Sequence, residues 1–197
     1  QKSILKYNRP NIVLENIALS KENGTAEFFL SEGRPADATE EHQWDFGNKS
    51  SSLLPPTEEM KKHTSWLQFN NKIEVETMRL DNYVVNKNIS EIDFVHIDVQ
   101  GAELMVLEGA GDFLKKIKLI WMEVEAVELY KNQPLKNDVE QFMKKNNFVN
   151  VLDTVNEVAG DQLYANMNYF TAQDFKKLEK EKVPVSFIQK LKSFFRS

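Results

Sequence analysis

The sequence contains no cysteine, which excludes disulfides, thiolate metal sites, iron–sulfur clusters and a thiol nucleophile. No stretch approaches the roughly 20 apolar residues of a membrane span. The most hydrophobic one, residues 118–130, is interrupted by Glu123, Glu125 and Glu128. No secretory pattern opens the chain, and the expected location is the cytoplasm. Basic residues number 25 against 30 acidic ones, a net charge of −5. They form no stripe able to neutralise phosphates, so nucleic acid is not an expected partner. The seven glycines include no Gly-x-Gly-x-x-Gly, which leaves a nicotinamide dehydrogenase poorly supported.

What is present suffices for a folded domain. Hydrophobic residues make up 41% of 197, enough for one core with a small appendage. Residues 11–20 carry Ile12, Val13, Leu14, Ile17 and Leu19 and read as a strand buried on both faces. Asn23-Gly24 is a turn signal, and residues 25–30 form a second strand. Residues 31–71 hold Gly33, Pro35, Gly47, Pro55 and Pro56, a long connection of the kind that forms lids and binding loops. A short helix from Thr57, acting as its cap, to about Trp66 interrupts it.

Further along, residues 72–80, 92–99 and 119–124 read as strands. Helices follow at 81 and 101–108, with Gly109-Ala110-Gly111 as a stop and Asp112 capping a short helix to 117. Residues 138–146 place Val139, Phe142 and Met143 on one helical face. Residues 148–153 and 162–170 make a closing antiparallel hairpin. The pattern is α/β with a mostly parallel, Rossmann-like sheet. Domain limits are expected at 1–170, with a helical tail at 171–197 split at Pro184. That tail sets Phe187, Ile188, Leu191, Phe194 and Phe195 beside Lys190, Lys192 and Arg196. Such a helix packs on its own domain or makes weak contact with a membrane surface.

Chemistry concentrates at residues 93–104, Asp-Phe-Val-His-Ile-Asp-Val-Gln-Gly-Ala-Glu-Leu. Open α/β sheets bind ligands at the carboxyl ends of their strands. Asp98 stands where a strand gives way to a helix, and His96, two residues earlier, shares its face. Each has a plainer structural role: Asp98 as a helix cap, His96 as a hydrogen-bonded core histidine, and Glu103 as an acid at a helix N-terminus.

Residues 93–110 are very similar to the signature of FkbM methyltransferases. Three weaker pieces follow in order: Asn16-Ile17-Ala18-Leu19-Ser20, Ser50-Ser51-Ser52-Leu53-Leu54, and Gly160-Asp161-Gln162-Leu163-Tyr164-Ala165-Asn166. The likeness spans residues 11–170. It implies an S-adenosylmethionine-dependent O-methyltransferase acting on a hydroxyl of a small molecule or glycan. The alternative is a binding module that keeps the fold without the cofactor loop.

On this resemblance Asp98 orients or deprotonates the acceptor, His96 is the alternative base and Glu123 the neighbouring acid. Asn16, Ile17, Ala18 and Asp98 border the cofactor, while Ser51, Ser52 and Trp44 face the acceptor, with Leu53 and Trp66 as further candidates. Two carboxylates at adjacent strand ends also suit a divalent metal, an option that the sparse ligand set does not favour. The family usually has Lys where this chain has His96. It also places a glycine-rich loop and a ribose-binding acid ahead of the strand at residue 11. Ten residues precede that strand and the chain begins at Gln1 rather than Met, so the expectation is a sheet lacking its first strands.

Overall fold

The computed structural model describes residues 11–36, 46–171 and 173–174. The proposed tail helix, and Trp44 with it, lie outside the described residues. Among the described residues, seven strands form two sheets. Strands β1 (Ala18–Leu19), β2 (Gly24–Glu32) and β3 (Gln68–Met78) make the smaller one, in the order β1-β3-β2. Strands β4 (Ile92–Ile97), β5 (Ile117–Glu125), β6 (Phe148–Asp153) and β7 (Ala159–Asn166) make the larger, in the order β4-β5-β7-β6.

The α/β class and the closing hairpin are present, but the sheets are mixed rather than mostly parallel. Among the described residues, β1 runs parallel to β3 and β4 parallel to β5, while β2–β3, β5–β7 and β6–β7 are antiparallel. The reason lies in the connections. A parallel pair needs a crossover of a dozen or more residues, which residues 98–116 supply between β4 and β5. The β6–β7 turn is a short hairpin, and β7 enters beside β5 from the opposite direction.

Among the described residues, the α-helices α1 (Glu58–His63), α2 (Leu80–Asn86), α3 (Glu103–Ala110) and α4 (Lys136–Lys145) accompany the sheets. Helix α1 begins as its sequence suggests, with the Thr57 hydroxyl accepting from the Met60 N–H at 3.4 Å. Helix α4 buries Val139 and Met143, four residues apart, and Asp138 accepts the Leu135 N–H at 3.0 Å. Strand β5 sits between β4 and β7, so Ile120, Trp121, Met122 and Val124 are all buried. They share one core with Val84, Leu107, Met143 and Tyr164. A smaller cluster joins Met60, Leu67 and Tyr130 with Trp66 and Phe69 against them. Trp66 is partly buried against this cluster.

Two local readings change. Residues 11–17 form no strand, and Ile12, Val13 and Leu14 are 48%, 74% and 59% exposed. Only Ala18 and Leu19 find a ladder, against Thr77 and Met78 of β3, and apolar composition alone does not supply a pairing partner. Helix α3 starts at Glu103 rather than at 101, and it ends within Gly109-Ala110-Gly111 as the sequence indicates. Gly109 lies inside the helix, and the chain turns at Gly111, whose φ is 51°. Gly109 is needed for proximity: a Cβ there would stand 2.1 Å from the Ser20 carbonyl oxygen. The absent side chain lets α3 press against the end of β1 and so brings the two sheets together. We expect Gly109→Ala to lower unfolding free energy by about 1–3 kcal/mol through overpacking, read as an earlier midpoint in urea denaturation. A midpoint equal to wild type would show that the helix can move away at no cost.

Candidate active site at the end of strand β4

A cavity of about 380 Å³ opens between the two sheets. One wall is Ile17, Ala18 and Leu19 with Phe28; the other is the strand run from Val95 to Val99. Ser51 and Leu53 close one side, and Val106 of α3 contributes to the lining. Five of the residues read from the sequence, Ile17, Ala18, Ser51, His96 and Asp98, thus meet in one place. His96 is exposed, which overturns its reading as a buried core histidine. Its register partner is Trp121, and Ile97 pairs with Met122, so the next position of β4, Asp98, comes level with Glu123 of β5.

Glu123 is not part of the cavity lining but is joined to Asp98 by Gln100. The amide nitrogen of Gln100 donates to Asp98 Oδ1 at 2.6 Å and to Glu123 Oε2 at 2.8 Å. Asn16 is exposed and precedes β1. Ser52 is fully buried: its hydroxyl donates to the Gln100 carbonyl at 2.7 Å and accepts from the Leu54 N–H at 3.0 Å. Ser51 Oγ accepts from the Ser31 N–H at 3.0 Å and lies 3.1 Å from the Ser31 hydroxyl. The serine run is therefore held by internal bonds, with Ser51 still reaching the cavity wall.

The turn from β4 to α3 explains why these groups converge. Gln100 and Gly101 have φ values of 58° and 88°. Two successive left-handed residues reverse the strand sharply, and glycine takes the second at no Cβ cost. Glu103 fastens the turn, accepting the Val99 N–H at 3.1 Å and the Gly101 N–H at 3.2 Å. It is only 3% exposed, so its structural reading from the sequence holds.

Burial and mutual repulsion set the electrostatics. Burial pushes Glu103 up to about 7, partly offset by the backbone N–H groups it accepts. Burial, then the charges of Asp98, Glu103 and Asp161, push Glu123 up to about 8, and protonated Glu123 shares a hydrogen bond with Asp98. Burial, then Glu103 and Glu123, push Glu125 up to about 9. Tyr130 is shifted upward by burial and by Glu125. The influences that raise these acids are burial and other acids, and such interacting groups titrate as a set. Among the described residues, no three of His, Asp and Glu are arranged as a metal-binding group.

Sequence pattern does not single out Gln100, Asp161 or Tyr130, and it prefers Glu123 over Glu125 on nearness to the strand end. Glu125 shares the two-residue period of Glu123, a usable signal. Asp161 pairs opposite Glu123 only through the β5–β7 register.

The chain is thus a mixed α/β domain of two sheets with acids gathered where strand β4 ends. Residues 2–149 match the model of the methyltransferase FkbM domain, and the chain belongs to that family. It is 36% identical over 124 residues to the 2-O-methyltransferase NoeI of Sinorhizobium fredii (strain NBRC 101917 / NGR234), covering 62% of this chain and 48% of that protein. The chain thus spans about half the length of this curated relative. No solved structure matches.

The raised acids carry a sign for stability. Their folded midpoints lie above the ordinary value of 4.5, so the folded state binds more protons than the unfolded one between about pH 4.5 and pH 9. Stability from these groups is complete below about pH 4.5 and is lost as pH rises through that window. Asp81, held low by Arg79, acts on the other side, at more acid pH. We expect melting temperature to fall from about pH 5 to pH 9, with a slope on the order of 1 kcal/mol per pH unit where one acid dominates. Glu125→Gln should flatten the alkaline part of that curve and exceed wild type near pH 8.5. A scanning-fluorimetry profile flat over this range in wild type would contradict the assignment.

Proposed function

We propose that this domain belongs to an S-adenosylmethionine-dependent O-methyltransferase acting on a hydroxyl of a glycan or other small-molecule acceptor. The observation that carries the reading is the meeting of Asp98 and His96 with the Ile17–Leu19 wall and Ser51 around one cavity. The family membership and the O-methyltransferase name of the Sinorhizobium relative support it.

The residues present fit such a cofactor in two respects. Ile17, Ala18 and Leu19 with Phe28 offer an apolar shelf suited to a planar base. The acids beside it, raised by burial and by each other, suit a cationic centre, because a nearby positive charge relieves both penalties. When bound, S-adenosylmethionine supplies an electrophilic methyl group on a positively charged sulfur. Ile17 and Ala18 border the adenine, with Asn16 at the approach. Asp98 accepts the acceptor hydroxyl's proton or holds its O–H in line, and His96, exposed on the same wall, is the second group able to take that proton. Ser51 and Leu53 shape the acceptor side, and Glu123 is the neighbouring acid, joined to Asp98 through Gln100.

Magnitudes favour alignment over proton transfer. Orientation of two reactants is worth about 7–11 kcal/mol, whereas a general base adds about 10²–10⁴-fold in rate. The acids' main contribution is therefore to fix the acceptor oxygen and exclude wrong geometries.

Calorimetric titration with S-adenosylhomocysteine should show one binding site per chain in the full-length protein. Asp98→Asn should lower kcat by about 10²–10⁴-fold with cofactor affinity nearly unchanged. Absence of S-adenosylhomocysteine binding would move the domain to the non-catalytic binding module. Full activity in Asp98→Asn would remove that residue from the chemistry.

A further inference from the structure

We propose that Gln100 is a positioning residue: its side-chain amide locks Asp98 and Glu123 into one arrangement and ties that arrangement to the seating of the serine loop at residues 50–52. The inference rests on the methyl-transfer reading of the same site for its catalytic consequence, but not for the clamp itself.

Each polar atom of Gln100 is committed. The amide nitrogen has two hydrogens, and they serve two different carboxylates, Asp98 and Glu123. The amide oxygen lies 3.1 Å from the Tyr130 hydroxyl. Turning the amide over would set its oxygen against both acids, so the network allows one orientation. Tyr130 is only 1% exposed, and its one hydroxyl hydrogen is shared between the Gln100 amide oxygen at 3.1 Å and the Ser50 carbonyl at 2.7 Å, as a three-centre bond or by alternating between them. The main chain of Gln100 is held from the same loop, its carbonyl accepting the Ser52 hydroxyl. One residue is therefore bonded through its side chain to both acids and through its backbone and Tyr130 to the acceptor-side loop.

Gln100 also pays for its place in backbone energy. A non-glycine residue at φ 58° is uncommon, and such outliers persist where surrounding contacts over-determine them. A surface turn with no further task would be served better by glycine here. The bridging amide is the contact that glycine lacks.

The mechanical consequence follows from charge. Bridging favours the state in which both carboxylates are ionised, because each then accepts from a shared donor. Without the amide, Asp98 and Glu123 repel, and Glu103 and Asp161 add to the repulsion at Glu123. The pair then separates or holds a proton more tightly, and in either case Asp98 leaves its set position. Displacement of the serine loop has the same effect through Tyr130 and the Gln100 carbonyl, so acceptor seating and acid alignment change together.

Gln100→Gly and Gln100→Asn test this without breaking the turn, since glycine and asparagine both accept left-handed φ values. Neither side chain is long enough to bridge. Tyr130→Phe removes the oxygen that orients the amide and keeps the ring. The first readout is ¹³C-carboxyl NMR of Glu123, assigned by comparison with Glu123→Gln. Its wild-type midpoint is expected at about 8 and should rise by roughly half a pH unit or more in both Gln100 variants, a factor of about 3 in proton affinity, with a smaller rise in Tyr130→Phe. The second is steady-state kinetics. We expect kcat to fall about 10- to 100-fold in the Gln100 variants while KM for the acceptor stays within about 3-fold, as a misplaced group rather than lost binding requires.

An unchanged Glu123 midpoint in Gln100→Gly overturns the clamp, whatever the activity. A shifted midpoint with undiminished kcat overturns its part in catalysis. If wild type transfers no methyl group, or Asp98→Asn keeps full kcat, the methyltransferase reading fails separately, and the titration alone decides whether Gln100 holds the acids.

Discussion

Two successive left-handed residues, Gln100 and Gly101, carry the chain out of β4 and into α3, and a buried carboxylate holds them there. Glu103 accepts the N–H groups on either side of the turn, satisfying two donors that would otherwise be stranded near a helix N-terminus. A buried unpaired donor costs about 1–3 kcal/mol, so the turn has strong reason to keep this shape. From it follow the position of Asp98, the reach of Gln100 to Glu123, and the contact of the serine loop with the Gln100 carbonyl. A Cβ at Gly101 would come within 3.0 Å of the Tyr130 ring, which packs the turn against the smaller core cluster as well.

The same turn concentrates negative charge. Glu103, Glu123 and Glu125 all sit where burial disfavours their ionised forms, and each raises its neighbours further. A core built for stability alone would place apolar residues there, as it does a few positions earlier on β5 at Ile120 and Met122. Glu123 is tied through Gln100 to Asp98, which lines the cavity, so the buried acids are linked to the cavity wall.

Much of the architecture follows from local pattern because local physics fixes it. The apolar run at residues 119–122 of β5, the i, i+4 pair Val139 and Met143, the Thr57 cap and the closing hairpin each depend on residues near in sequence. The meeting of Asp98, His96, Ile17, Ala18 and Ser51 follows from the family resemblance, which carries long-range order that periodicity lacks. The exposed residues 12–14 show the limit in the other direction: their apolar composition matches a buried strand, yet burial needs a neighbour, and of residues 11–20 only 18 and 19 pair with β3.

The sequence by itself determined the α/β class, the strand-to-helix switch that presents Asp98, and the absence of thiol chemistry, since these rest on composition and on spacings of a few residues. Only the tertiary structure decided that Ser52 is buried as a brace, that Glu125 and Asp161 join Glu123 in one acidic set, and that Gln100 spans the gap. Tyr130 lies 30 residues from Gln100 and 80 from Ser50. A bond across such separations depends on register between strands and on a φ of 58°, neither of which is encoded in the identity of any single side chain.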